Sequence, residues 1–128
     1  MRCVALIVCL LSVTACGPTS PSAVDARFTL APGQTETIAG ASTRVTFVAV
    51  TSDSRCPANA FCVVAGEAAV RIDAWTDGRS STHELRTGSM QPARTGDLTI
   101  ELVEVAPYPF ATTPIDPAAY RVTLRVTR

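Results

Sequence analysis

The sequence predicts an all-β chain, folded as a single antiparallel β-sandwich of about seven strands. Apolar and polar residues alternate with a period of two along several segments, which sends successive side chains to opposite faces of a strand. Turn-forming clusters separate those segments. Seven Gly and nine Pro are spread along 128 residues, a distribution that suits many turns and short strands rather than long helices.

The elements follow in order. Residues 27–30 form a short first strand, ended by Ala31-Pro32-Gly33, and residues 36–39 form a second. Val45, Phe47 and Ala49 mark the inner face of a third. Ala68, Val70, Ile72 and Ala74 alternate with Glu67, Arg71 and Asp73 to make a half-buried fourth, which stops at Thr76-Asp77-Gly78. Residues 82–86 are the fifth, closed by Thr87-Gly88. Leu98, Ile100 and Leu102 alternate with Thr99 and Glu101 in the sixth. The last segment has the cleanest pattern, with Tyr120, Val122, Leu124 and Val126 on one face and Arg121, Thr123, Arg125 and Thr127 on the other. Two packed sheets with Ig-like or jelly-roll connectivity are expected. A small β-barrel is the alternative, because strand order is not written in one sequence.

The N-terminus has a different character. Arg2 precedes the apolar run CVALIVCLLSV at residues 3–13. That run is too short for a membrane-spanning helix, which needs about 20 residues, and has the form of a signal peptide. It leads into Val13-Thr14-Ala15-Cys16-Gly17. This stretch resembles the lipobox of bacterial lipoprotein precursors, in which small residues stand ahead of a cysteine. The resemblance implies cleavage after Ala15 and a diacylglycerol thioether on Cys16, which becomes the first residue of the mature chain. Acyl chains gain about 0.8 kcal/mol per buried CH₂, so such a modification anchors the protein to a membrane. The expected organisation is a signal peptide over residues 1–15, a lipidated cysteine and flexible tether over 16–25 (GPTSPSAVD after Cys16), and the β-sandwich over 26–128.

Cysteine usage agrees with export. Cys3 and Cys9 leave with the signal peptide and Cys16 is taken by lipid, so Cys56 and Cys62 remain. In an oxidising compartment this pair reads as a disulfide closing the short loop SRCPANAFC. A metal site is disfavoured, because the spacing is not C-x-x-C and neither a second Cys pair nor a His cluster accompanies it. Around this loop, Asp53-Ser54-Arg55-Cys56-Pro57, Cys62 and Ala65-Gly66-Glu67-Ala68 resemble a pattern found in small all-β bacterial lipoproteins. That resemblance carries no catalytic or binding residue over to this chain.

Catalytic signatures are missing from the sequence. G-x-S-x-G, a Gly-rich phosphate loop, H-E-x-x-H and an EF-hand loop do not occur. The single His, His83 in Ser80-Ser81-Thr82-His83-Glu84, reads as an exposed or half-exposed strand residue, and the carboxylates are scattered over several strands. The formal charge is zero, which offers no electrostatic attraction for nucleic acid. All cationic side chains are Arg. Arg121 and Arg125 share a strand face and are expected to pair with Glu101 or Glu104 across neighbouring strands.

Two segments read as contact surfaces. In the disulfide loop, Pro57, Asn59 and Phe61 would be presented at one end of the sandwich. In Ala106-Pro107-Tyr108-Pro109-Phe110 the prolines cannot continue a ladder, so Tyr108 and Phe110 either form a contact patch or fold inward to cap the core. The expected function is that of a non-enzymatic, cofactor-free lipoprotein of the cell envelope, in the outer membrane and periplasm if the source is Gram-negative. It would bind an envelope protein or polymer. The alternative from another class is a secreted inhibitor or hydrolase.

Overall fold

The computed structural model describes residues 23–89 and 91–128. The expected signal peptide, Cys16 and most of the expected tether lie outside the described residues. Eight strands form two four-stranded antiparallel sheets: β1 (Asp25–Leu30), β2 (Thr35–Ile38), β3 (Thr43–Asp53), β4 (Ala68–Thr76), β5 (Arg79–Arg86), β6 (Ala93–Thr95), β7 (Leu98–Ala106) and β8 (Arg121–Thr127). One sheet has the order β1-β8-β7-β6 and the other β2-β3-β4-β5. The predicted β-sandwich is present. Its connectivity is a correction to the Ig-like or jelly-roll expectation, because neighbours in each sheet are consecutive in the chain except where β1 pairs with β8. Successive strands stay adjacent through tight turns or, at β3–β4 and β7–β8, fourteen-residue loops, and only the β1–β2 and β5–β6 links change sheet.

The core lies between the sheets. Val45, Phe47, Val70, Ile72 and Leu85 from one sheet meet Leu98, Ile100, Val122, Leu124 and Val126 from the other, and all are buried. Each such side chain contributes roughly 1.5–3 kcal/mol on leaving water. Val24 joins this core, and the Arg128 N–H donates to its carbonyl at 3.0 Å. The ordered domain therefore takes in Val24 and Asp25, two residues ahead of the expected boundary, because β1 pairs as far as Asp25 with Thr127. The half-buried Thr76 links the buried Thr43 of its own sheet, hydroxyl to hydroxyl at 3.0 Å, to the buried Thr95 of the other sheet at 3.1 Å.

Local chemistry explains most boundaries. Asp77 (φ 49°) and Gly78 (φ 79°) form the two-residue β4–β5 turn, a conformation whose positive φ values match the twist of the flanking strands. Bulges change the predicted facing. Register shifts between Phe47 and Ala49 and between Val50 and Ser52 in β3, and between Leu102 and Glu104 in β7, each insert one residue. The alternation reverses beyond each bulge, so Val50 rather than Ala49 packs against the core, and Val105 is buried while Val103 is exposed. β6 has three residues, too few to show a period. A single 3₁₀ turn, Pro117–Ala119, is capped by the Asp116 side chain, which accepts from the Ala118 N–H at 2.9 Å.

Arg125 stands opposite Glu101 in the β7–β8 register and is held by its charge, but its ion pair is made on the other side. It forms a two-point ion pair with Asp25 on β1, the strand on the other side of β8, at 2.8 and 2.9 Å. Arg121 donates to the carbonyls of Ala118 and Tyr120.

Candidate functional site

The register places one set of loops together. Ala106 pairs with Arg121 and Leu30 with Val122, whereas Asp25 pairs with Thr127. The β7–β8 connection therefore lies at the end of the sandwich opposite the point where the chain enters. The β3–β4 connection lies at this same end, held by backbone hydrogen bonds from Ala58 N–H to the Pro109 carbonyl at 2.9 Å and from Asn59 N–H to the Phe110 carbonyl at 3.1 Å. The two segments predicted separately as contact surfaces are one surface.

Cys56 and Cys62 form the predicted disulfide, with Cα atoms 5.9 Å apart. Closing so short a loop restrains the unfolded chain by about 2 kcal/mol on the chain-entropy account. Within it, the Ala60 N–H donates to the Pro57 carbonyl at 3.0 Å. The loop thus turns back on itself and pushes its next residues outward. Phe61 and Val63 are fully exposed, Val64 is 77% exposed, Phe110 74% and Tyr108 60%. Of the two alternatives for the aromatic-proline segment, the outward one is observed for Tyr108 and Phe110, while Pro109 faces inward and is buried. The cis peptide bond here is Ala106-Pro107.

Arg55 joins the two loops from beneath. Its side chain is 7% exposed and that of Asp53 is 11% exposed. Nε donates to Asp53 Oδ1 at 2.8 Å and Nη2 to Oδ2 at 2.6 Å, the two-point geometry that a planar guanidinium makes with a carboxylate. The remaining donors reach across to the other connection, Nη1 to the Val105 carbonyl at 2.6 Å and Nη2 to the Pro107 carbonyl at 2.9 Å. The Tyr108 ring lies 5.3 Å from the guanidinium carbon, and its hydroxyl donates to the Cys56 carbonyl at 2.9 Å. Tyr120, at the start of β8, donates its hydroxyl to Asp53 Oδ2 at 2.9 Å. All three Arg55 guanidinium nitrogens and both tyrosine hydroxyls of this cluster have partners inside the protein. No buried side-chain nitrogen or oxygen among the described residues lacks a partner.

Two protonation equilibria follow from this arrangement. Burial pushes the Asp53 carboxyl up, but hydrogen bonds from the Arg55 side chain, Tyr120 and the Arg55 backbone outweigh it and hold the group below its ordinary value of 3.8. The stabilisation is present above that value and is lost as pH falls through the lower folded value. Burial, followed by the hydrogen bond to Asp53 and its charge, pushes the Tyr120 phenol from 10.0 to about 12. Here the sign is opposite. Between pH 10 and 12 the unfolded chain ionises and the folded one does not, so stability falls as pH rises. Phenolate absorbance should resolve a late step near pH 12, and Asp53→Asn should move it earlier. A single step at the ordinary tyrosine value would remove Tyr120 from the cluster.

A shallow cleft of about 380 Å³ adjoins the cluster, with Val50, Asp53, Pro57, Pro109, Ile115 and Tyr120 on its walls. Its two charged groups, Asp53 and Arg55, are already paired with each other. His83 lies elsewhere, half-buried on β5, with Nε2 2.9 Å from Ser81 Oγ. No carboxylate hydrogen-bonds its ring among the described residues. No group of three His, Cys, Asp or Glu side chains there could hold a metal ion.

The sequence reading named Pro57, Asn59, Phe61, Tyr108 and Phe110 but gave no role to Arg55 or Tyr120. Tyr120 read as one more apolar position of β8. The available signal was Asp53-Ser54-Arg55, a charge pair two residues apart beside a disulfide cysteine. No protein-family model, curated protein or solved structure matches this chain.

Proposed function

We propose that the protein is a lipid-anchored module of the cell envelope that acts by contact rather than catalysis, and that its contact surface is the end built from residues 56–64 and 107–110. The observation that carries this reading is the convergence of two aromatic loops into one exposed apolar surface, held by the disulfide and by Arg55. Exposed apolar patches on small proteins mark interaction sites, because leaving them in water costs solubility. Bracing matters to such a surface. Side chains already held in place lose less freedom on association. The N-terminal sequence supports the anchor: a signal peptide and Cys16 within Val13-Thr14-Ala15-Cys16 supply the features of a lipoprotein precursor.

Intact-mass spectrometry of protein purified from envelopes tests the anchor. The expected mass corresponds to removal of residues 1–15, an acylated Cys16 and an oxidised Cys56–Cys62 pair. An unacylated mature chain would overturn the anchor. Phe61→Ala and Tyr108→Ala should fold normally and weaken association of the chain with envelope material. Unchanged association would overturn the contact surface.

A further inference from the structure

Resting on the reading of this end as a contact surface, we propose that its occupant is the interfacial region of the bilayer that carries the anchor, entered by Phe61, Val63, Val64 and Phe110. The chemistry of the loops suits that medium. Residues 56–66 and 107–115 include no Asp, Glu, Lys, Arg or His, so no full charge has to be desolvated. Pairing backbone polar groups lowers the cost of moving a loop out of water. Here three successive amides, Ala58, Asn59 and Ala60, donate to carbonyls of the same two loops, and the Tyr108 hydroxyl donates to the Cys56 carbonyl. The apolar side chains project outward, a shape that dips into lipid readily.

Geometry and mass action agree. The chain enters the fold at Val24, at the end opposite these loops. Seven residues lie between Cys16 and Val24, and the eight Cα steps reach at most about 29 Å when fully extended. β7, nine residues long, spans about 27 Å from its first to its last Cα. A tether of this reach lets the sandwich lie along the surface with both ends touching one leaflet. Anchoring at one end raises the effective concentration of lipid at the other, so a few apolar side chains suffice for a second contact. A protein partner is the competing occupant. The absence of charged side chains in these loops favours lipid, because nothing there would set the register of a protein interface by charge.

The test uses the acylated full-length mature protein in phosphatidylcholine vesicles. Phe110→Trp and, separately, Phe61→Trp are placed in a Trp75→Phe background, so that emission reports one loop position. Both sites are exposed, and circular dichroism checks the fold. Blue-shifted emission, quenching by lipids brominated in their acyl chains and insensitivity to salt are expected. Adding Val63→Asp to the Phe110→Trp protein should lower the inserted-to-free ratio about tenfold. Water-exposed, unquenched tryptophans at both positions in vesicles carrying acylated protein would overturn the proposal. Shielding that appears only after envelope protein is added would overturn it in favour of a protein partner while leaving the contact surface intact. Intact mass on the same sample reads acylation separately from insertion.

Discussion

Arg55→Ala is expected to cost about 3 kcal/mol in urea unfolding and to free the exposed loops from one another. The cost arises because truncation leaves the Asp53 carboxylate with no countercharge, held only by the Tyr120 hydroxyl and the backbone N–H of residue 55, and it removes the guanidinium donors to the carbonyls of Val105 and Pro107. Replacing both members of a buried pair by apolar groups is often far cheaper than removing one, so the size of the loss reports the unpaired group. Arg55→Lys keeps the charge but cannot reproduce four donors in a plane, and should recover only part of the stability. Hydrogen exchange supplies a local readout. The Ala58 and Asn59 amides, bonded to Pro109 and Phe110 across the two loops, should lose protection beyond the global change. Arg125→Ala is the control, since its ion pair with Asp25 is exposed and its removal should leave the unfolding midpoint unchanged. Equal effects at the two arginines would show that Arg55 is an ordinary surface cation.

Gly66→Ala is the second large effect, with a loss of about 3 kcal/mol or more. A Cβ built at Gly66 would overlap the carbonyl group of Ser54 and lie 2.8 Å from its Oγ. The obstacle is backbone, so no rotamer change relieves it. The Ser54 N–H donates to the Glu67 carbonyl at 2.9 Å, and the Glu67 N–H donates back to Ser54 Oγ at 3.1 Å. These bonds close the root of the 54–67 loop, and separating the strands there would also disturb Arg55 next in line. Gly78→Ala is the contrast. Nothing lies within 4 Å of a Cβ there, and its strain comes only from φ 79°, so about 1 kcal/mol is expected. Urea unfolding of both variants, with exchange of the Ser54 amide, separates a steric requirement from a conformational one. A Gly66→Ala loss no greater than that of Gly78→Ala would mean that the loop root relaxes freely.

The requirement at Gly66 also gives a physical reason for part of the pattern Asp53-Ser54-Arg55-Cys56-Pro57 with Ala65-Gly66-Glu67-Ala68. Asp53 and Arg55 build the buried pair, Cys56 starts the disulfide loop, and Gly66 lets the returning chain pass against Ser54. The motif was visible in the sequence, but its roles were not, because they depend on atoms from the 105–107 segment and from Tyr120.

By itself the sequence determined the class of the fold, the polarity of β4 and β8, the β4–β5 turn and the disulfide loop. These are local quantities: a side-chain period of two, a preference for positive φ at Asp77-Gly78, and the small separation of Cys56 and Cys62. Only the tertiary structure decided the facing of β3 and β7 beyond their bulges, the existence of β6, the pairing of β1 with β8 and the union of the two loops. A bulge adds one residue without a distinctive residue type, and β6 is too short to carry a period. Arg55 and Val105 stand 50 positions apart and meet through a hydrogen bond that no local pattern encodes. Alternation reveals which side chains leave water, but contacts between distant loops depend on how the two sheets close over their shared core.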